Sequence, residues 1–402
     1  MKKEVIKYNT NLRPLKYIFL SPSSKGKNLK YYDLNNDFIF VGSWAGLLAR
    51  RLKKYKPELD ISIWIMEPFV NRPLHKKVFD LDGIIWPYKN VLIKNILSFS
   101  MYLMILRLSL RNNIILHYHS LFDRFILLKY FLPGNVKIVL SHHGGIPPAN
   151  GSLKDLFFRL TLRHVSAITY LSLRAKEYLQ QIGVPEDKVH FLPVGADFKM
   201  FQPYDKSVVR KKLGLDLDTV YGIYVGSFYR LKSVDLILDI YYALRQKYNF
   251  SVIFVGGEDN ENNNLYNEVI NSGCPWFRRQ EWIKMPDFYN AADFYIHPAL
   301  NPQFGGLDVS WIEALACNKP VISPQLAYLD FDYSELGVLI KDKNEVVEKT
   351  EWMINNYKVF TKCRETAQKY LDGNTAIMAK LICIYEKIFW KDPSHNEPSS
   401  GL

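Results

Sequence analysis

Apolar residues follow two rhythms along this chain. Short unbroken runs alternate with segments whose apolar positions return every three or four residues, the spacing of one helix face. In the first half the runs YIFLS (17–21), ISIWIM (61–66), IILHY (114–118), KIVLSHH (137–143), AITYLS (167–172) and VHFLPV (189–194) predict strands. WAGLLARRLKKY (44–55) and SLRAKEYLQQIG (172–183) predict helices between them. Strands that are apolar throughout are buried on both faces, so the alternation predicts a parallel sheet covered by helices on both sides. The pattern then restarts. VYGIYVGSF (220–228), FSVIFVGG (250–257), DFYIHPA (293–299) and PVIS (320–323) read as strands. SVDLILDIYYALRQKY (233–248), MPDFYNAA (285–292) and SWIEALAC (310–317) read as helices. A stretch punctuated by Pro and Gly, PVGADFKMFQPYDKS (193–207), joins the two halves. The expectation is an α/β protein of two doubly wound domains, residues 1–200 and 201–375. A helix over 376–390 returns to the first domain, and the tail 391–402 is disordered.

Length and composition agree with this division. A chain of 402 residues suits two domains of about 200 residues each. The content of 48% hydrophobic and 23% charged residues is that of a globular protein. Four well-separated cysteines with no C-x-x-C pair argue against a disulfide framework or a zinc site and fit a reducing cytoplasm. No signal peptide and no membrane-spanning run is evident. Charge is uneven: residues 1–200 carry 30 Lys/Arg and 14 Asp/Glu, a net +16, and residues 201–402 a net −4. The first half therefore expects an anionic partner, such as a membrane surface, a phosphorylated lipid or an acidic glycan. Nucleic acid is the weaker choice, because no recognition motif accompanies the basic clusters.

Ligands of open α/β sheets bind beyond the carboxyl ends of the strands, so the residues that follow strands carry the functional reading. After VYGIYVG, which ends at Gly226, the loop holds Arg230 and Lys232 beside a helix N-terminus, where free N–H groups favour a diphosphate. The bland alternative is two solvated surface cations. After DFYIHPA comes NPQFGGLDVSWIE. There Gly305 and Gly306 let backbone N–H groups approach a ligand, and Asp308 and Glu313 offer carboxylates to hydroxyls. The competing view makes Asp308 or Ser310 a helix cap, with Ser310 and Glu313 in a capping box. After KIVLS come His142 and His143, for which polar packing and chemistry are both open. The Asp-x-Asp strings FDLDG (79–83) and LDLD (215–218) are common turn sequences and are discounted as metal motifs.

Four stretches in register are similar to the retaining glycosyltransferases of the GT-B fold, glycosyltransferase family 4. They are LSLRAKEYLQQIGVPEDKVHFLPVGADFKMFQP, IYVGSFYRLKSVDLIL, MPDFYNAADFYIHPAL and WIEALACNKPVIS. The resemblance implies two Rossmann-like domains facing across a cleft. It implies transfer of a sugar from a nucleotide-diphosphate donor of UDP, GDP or ADP type to a glycan or lipid-linked acceptor. Retention of configuration, independence of metal and no cofactor are implied with it. By the same resemblance Lys232 binds the donor diphosphate, Glu313 holds the ribose, His143 contacts the donor sugar, and Gly42 lies in a loop under the phosphates.

The sequence also departs from the family pattern. Ser227 stands where the family has an arginine, with Arg230 as its candidate substitute, and Ser43 replaces the second glycine of the first loop. Gly305 stands where the E-x7-E motif has its first glutamate, which leaves Asp308 as the candidate sugar ligand and a degenerate, binding-only protein as the alternative. A GT-B phosphorylase would need a pyridoxal lysine, and none can be assigned. Charge on the leaving phosphate would be stabilised by Lys232, Arg230 and the helix dipole, with closure about a hinge near Pro203. The acceptor would sit on the basic first domain. There the apolar segment 91–111, near ARRLKKYK (49–56), is either a helix buried on the sheet or one lying on the inner face of the membrane.

Overall fold

The computed structural model describes residues 13–21, 43–67, 70–78, 80–87, 99–120, 130–142, 148–257, 264–297, 308–324 and 333–389. Its first sheet contains β1 (Leu15–Ser21), β2 (Asp60–Glu67), β3 (Leu74–Val78), β4 (Leu81–Pro87), β5 (Asn113–Tyr118), β6 (Val136–Ser141), β7 (Ala167–Tyr170) and β8 (Val189–Phe191). The spatial order is β3-β4-β2-β1-β5-β6-β7-β8. All pairings are parallel except that of β3 with β4. This edge hairpin is absent from the apolar-run reading. In β3, LHKKV, only Val78 is buried. An edge strand with one buried residue and outward lysines, which discourage edge-to-edge pairing, leaves no apolar run to find.

The second sheet contains β9 (Val220–Gly226), β10 (Phe250–Gly256), β11 (Trp276–Phe277), β12 (Phe294–Ile296), β13 (Val321–Pro324) and β14 (Gly337–Ile340). Their order is β11-β10-β9-β12-β13-β14, parallel throughout. Strand order reverses at β1/β5 in one sheet and at β9/β12 in the other. Each reversal opens a crevice at the carboxyl ends, the usual place for a ligand in such a sheet.

Alternation along the strands sends neighbouring side chains into opposite layers. Trp64 and Met66 enter the layer that holds Tyr178, while Ile63 and Ile65 enter the layer that holds Leu48 and Leu52 of helix Trp44–Tyr55. Ser43 caps that helix, its Oγ accepting from Gly46 N at 3.0 Å. Helix Ala376–Phe389 completes the same layer through Ile377, Met378, Leu381, Ile384 and Tyr385. Of the apolar segment 91–111, helix Phe99–Ser109 buries Met101 and Ile105 on the sheet and leaves Leu103 exposed. Residues 91–98 lie outside the described residues.

The chain crosses between the sheets after β8 and again before Ala376, and the two crossings are bonded together. Ala196 N donates to Leu371 O at 3.2 Å, and Gly373 N to Ala196 O at 2.8 Å. Buried Arg51, reaching from helix Trp44–Tyr55, donates to Val194 O at 2.5 Å and Gly195 O at 3.2 Å. Gly195 has φ +72°, and a Cβ there would stand 2.6 Å from Leu371 O. Only glycine fits that crossing.

Candidate donor site

The β9/β12 crevice is built from two strand ends and two helix starts. Strand β9 stops at Gly226, where a Cβ would lie 3.0 Å from Tyr224 Oη and 3.7 Å from Lys232 Nζ. Lys232 therefore stands over the strand end. It closes the one-turn 3₁₀ segment Arg230–Lys232. Ser233 follows in the left-handed region at φ 56° and opens helix Val234–Leu244.

Asp308 is the N-cap residue of helix Val309–Ala316, but its side chain makes no capping bond. Its Oδ2 lies 4.0 Å from Lys232 Nζ and 3.9 Å from Nδ1 of His297, the residue that follows β12. His297 is 3% exposed, and neither ring nitrogen has a hydrogen-bond partner among the described residues. Burial pushes its pKa below the ordinary imidazole value; Asp308 opposes that shift and Lys232 adds to it. The ring stacks on Tyr295, whose hydroxyl bonds Ser310 Oγ at 2.9 Å.

That last bond corrects the capping-box reading. Ser310 is committed to Tyr295, and Glu313 points inward. Glu313 accepts from Trp282 Nε1 and from Tyr289 Oη, both at 2.8 Å. Burial raises its pKa from 4.5 to about 7, against the opposing pull of those two donors and of Arg51.

Arg230 does not join this cluster. Its guanidinium is 63% exposed and pairs with Asp235 at 3.3 Å and Glu268 at 3.4 Å on the outer side of helix Val234–Leu244. Gly42, His143, Gly305 and Gly306 lie outside the described residues. His142 is described and buried, and its backbone N donates to Thr169 O at 2.8 Å. Beneath it a polar chain crosses the first sheet. His117 bonds Tyr385 Oη and Ser141 Oγ, each at 2.6 Å, and Ser141 Oγ bonds Thr169 Oγ1 at 2.7 Å.

The structure thus brings Gly226, Lys232 and Asp308 together, with Glu313 under the same crevice. It adds His297, Trp282 and Tyr289, which the sequence reading did not name. His297 was within reach of that reading, because YIHP places it at the end of an apolar strand. Nothing local marks Trp282 or Tyr289.

Comparison with known proteins divides along the same line. A family model described as Glycosyltransferase Family 4 matches residues 41–199, and one described as Glycosyl transferases group 1 matches residues 220–356. The chain belongs to this glycosyltransferase family. Its curated relatives in the family include D-inositol 3-phosphate glycosyltransferase 2 of Catenulispora acidiphila, 26% identical over 168 residues, or 39% of each chain. The corresponding enzyme of Segniliparus rotundus is 27% identical over 180 residues, 42% of this chain and 39% of that one. The chain therefore spans well under half the length of these relatives.

Solved family-like structures extend the match in shape. Sucrose-phosphate synthase from Thermosynechococcus elongatus superposes with a TM-score of 0.62 at 16% identity, covering 94% of this chain and all of that one. Anabaena HepE, solved with UDP, gives 0.66 at 12%, covering 92% and all of that chain. These likenesses establish the GT-B fold: two Rossmann-like domains, the family's architecture, with Lys232, Asp308 and Glu313 in the second.

Proposed function

We propose that the protein transfers a sugar from a nucleoside-diphosphate sugar to a glycan or lipid-linked acceptor, with retention and without a metal. The observation that carries this is Lys232 Nζ held over the end of β9, 4.0 Å from Asp308, at the switch point of the second sheet. A diphosphate seated there meets a fixed ammonium and the first N–H groups of helix Val234–Leu244. Both stabilise the charge that grows on the leaving phosphate as the anomeric bond breaks. In this reading the lysine supplies in place the positive charge that a metal supplies elsewhere. In this reading Glu313, one turn into helix Val309–Ala316, takes the ribose. Each of its oxygens already accepts one protein hydrogen bond and keeps a lone pair for a hydroxyl.

The acceptor belongs on the first domain, whose half of the chain carries +16. Leu153, Leu156 and Leu160 form an exposed stripe on helix Leu153–Thr161 beside exposed Tyr130 and Phe131. Tyr130 Oη donates to Leu160 O at 3.3 Å, so the patch is continuous. No described helix is long and apolar enough to cross a membrane. A basic domain with an apolar stripe suits peripheral contact with anionic lipid at the inner face of a membrane, where a lipid-linked acceptor would be met.

The test is transfer in the presence of EDTA, with sugar nucleotides offered to a panel of lipid-linked and free glycans and product configuration read by NMR. Product of retained configuration, unaffected by EDTA, is expected. Inverted product, or activity abolished by EDTA, refutes the corresponding part. Gly305 at the position of the family's first glutamate favours one alternative, a protein that binds sugar nucleotide without transfer. Tight donor binding with no product from any acceptor would select it.

A further inference from the structure

His297 has no part in the donor reading above, yet it is the most conspicuous polar group in the crevice. Burying an imidazole with no hydrogen bond costs free energy unless a ligand completes it. Its surroundings restrict what that ligand is. Nδ1 faces Asp308 Oδ2 at 3.9 Å, too far for a direct bond. One oxygen bonded to both at about 2.8 Å fits a gap of that width, with an angle near 90° at the oxygen.

With the ring proton on Nδ1, the partner gives a proton to Asp308, because a carboxylate only accepts, and takes one from the imidazole N–H. A hydroxyl does both. A phosphate oxygen only accepts and would face the negative Asp308. Burial favours the ring's neutral form, and a neutral ring can donate from Nδ1 without bringing a second charge beside Lys232.

We propose that His297 and Asp308 together form a sub-site for one hydroxyl of the donor's sugar, and that His297 is a specificity-determining residue of the transfer. The inference rests on the donor reading of Lys232 and goes beyond it by assigning a residue that touches the sugar and not the diphosphate. It also gives Gly305 a context. With no glutamate there, an imidazole N–H and Asp308 divide the task of orienting the sugar. A donor lacking that hydroxyl leaves both groups unpaired, and such sites reject deoxy analogues strongly.

The experiment compares nucleoside diphosphates with their sugar esters by calorimetric titration of the full chain. UDP, GDP and ADP are run against UDP-glucose, UDP-galactose, UDP-N-acetylglucosamine, GDP-mannose and ADP-glucose. The protein is wild type, His297→Leu and His297→Gln. At least one sugar nucleotide should bind the wild type more tightly than its parent diphosphate. His297→Leu should lose that increment, about tenfold, while its affinity for the diphosphate stays within twofold. His297→Gln, which keeps an N–H donor, should recover part of it.

Equal weakening of diphosphate and sugar ester in His297→Leu overturns the proposal, since the residue then supports the crevice as packing. No change for any donor overturns it too, as does a wild type that gains nothing from any sugar. Failure of every diphosphate to bind the wild type is a different result: it removes the donor site itself, and this inference with it.

Discussion

Replacing Glu313 by glutamine should stabilise the protein and weaken its proposed ligand, and the first effect can be sized. The carboxyl is 5% exposed and its pKa is raised from 4.5 to about 7. A folded-state pKa above the unfolded value means that the folded protein binds the extra proton between these limits. Stability is therefore lost as pH rises through that window. At about 1.4 kcal/mol per pH unit, the ionised carboxylate costs the folded state about 3 kcal/mol above pH 7 and almost nothing near pH 4.5. Glutamine is neutral and of similar shape. Its carbonyl can accept from Trp282 Nε1, and its amide can donate to Tyr289 Oη. Glu313→Gln should thus match wild type at pH 4.5 and exceed it by up to about 3 kcal/mol at pH 8. Equilibrium urea unfolding, followed by tryptophan fluorescence across that range, reads the difference. Parallel stability curves would refute the argument, because the buried carboxylate would then cost nothing. The same variant should bind nucleotide about tenfold more weakly, since a charge-assisted acceptor for the ribose is gone; strain kept at a functional site is a common trade against stability.

Ser233 holds φ 56° with no side-chain cap bond. Ser233→Gly should relieve left-handed strain and stabilise by about 0.5–1 kcal/mol after glycine's greater entropy loss is deducted; destabilisation in thermal melts would contradict this. Leu153→Gln, Leu156→Gln and Leu160→Gln combined should leave the melting temperature nearly unchanged, because all three side chains are exposed. The triple variant should lose most of its cosedimentation with phosphatidylglycerol vesicles at low salt. Undiminished binding would assign the contact to charge alone.

The two sheets were legible because β1, β2, β5, β6, β9 and β10 are buried on both faces along most of their length and so carry largely apolar runs. The edge hairpin β3–β4 was not, since its outer strand buries one residue. Lys232 and Asp308 could be found because both follow strands at a helix start. Glu313 was marked as well, but sequence spacing alone fits a capping box and an inward carboxylate equally. The choice between them lies in Ser310 bonding Tyr295 and in Trp282 and Tyr289 reaching Glu313 from 31 and 24 residues away. Arg230 shows the converse. It lies in the expected loop, yet the carboxylates of Asp235 and Glu268 draw it to the outer face. Side-chain direction in a turn depends on partners that local sequence does not reveal.

In the proposed donor site the β9/β12 crevice holds a nucleoside diphosphate on Lys232 without a metal. Calorimetric titration of the wild-type chain with UDP, GDP and ADP in EDTA tests it most directly, repeated on Lys232→Ala. Micromolar binding of one nucleotide, reduced at least tenfold in the variant, is expected. Binding to none of the three, or binding unchanged by Lys232→Ala, would contradict it.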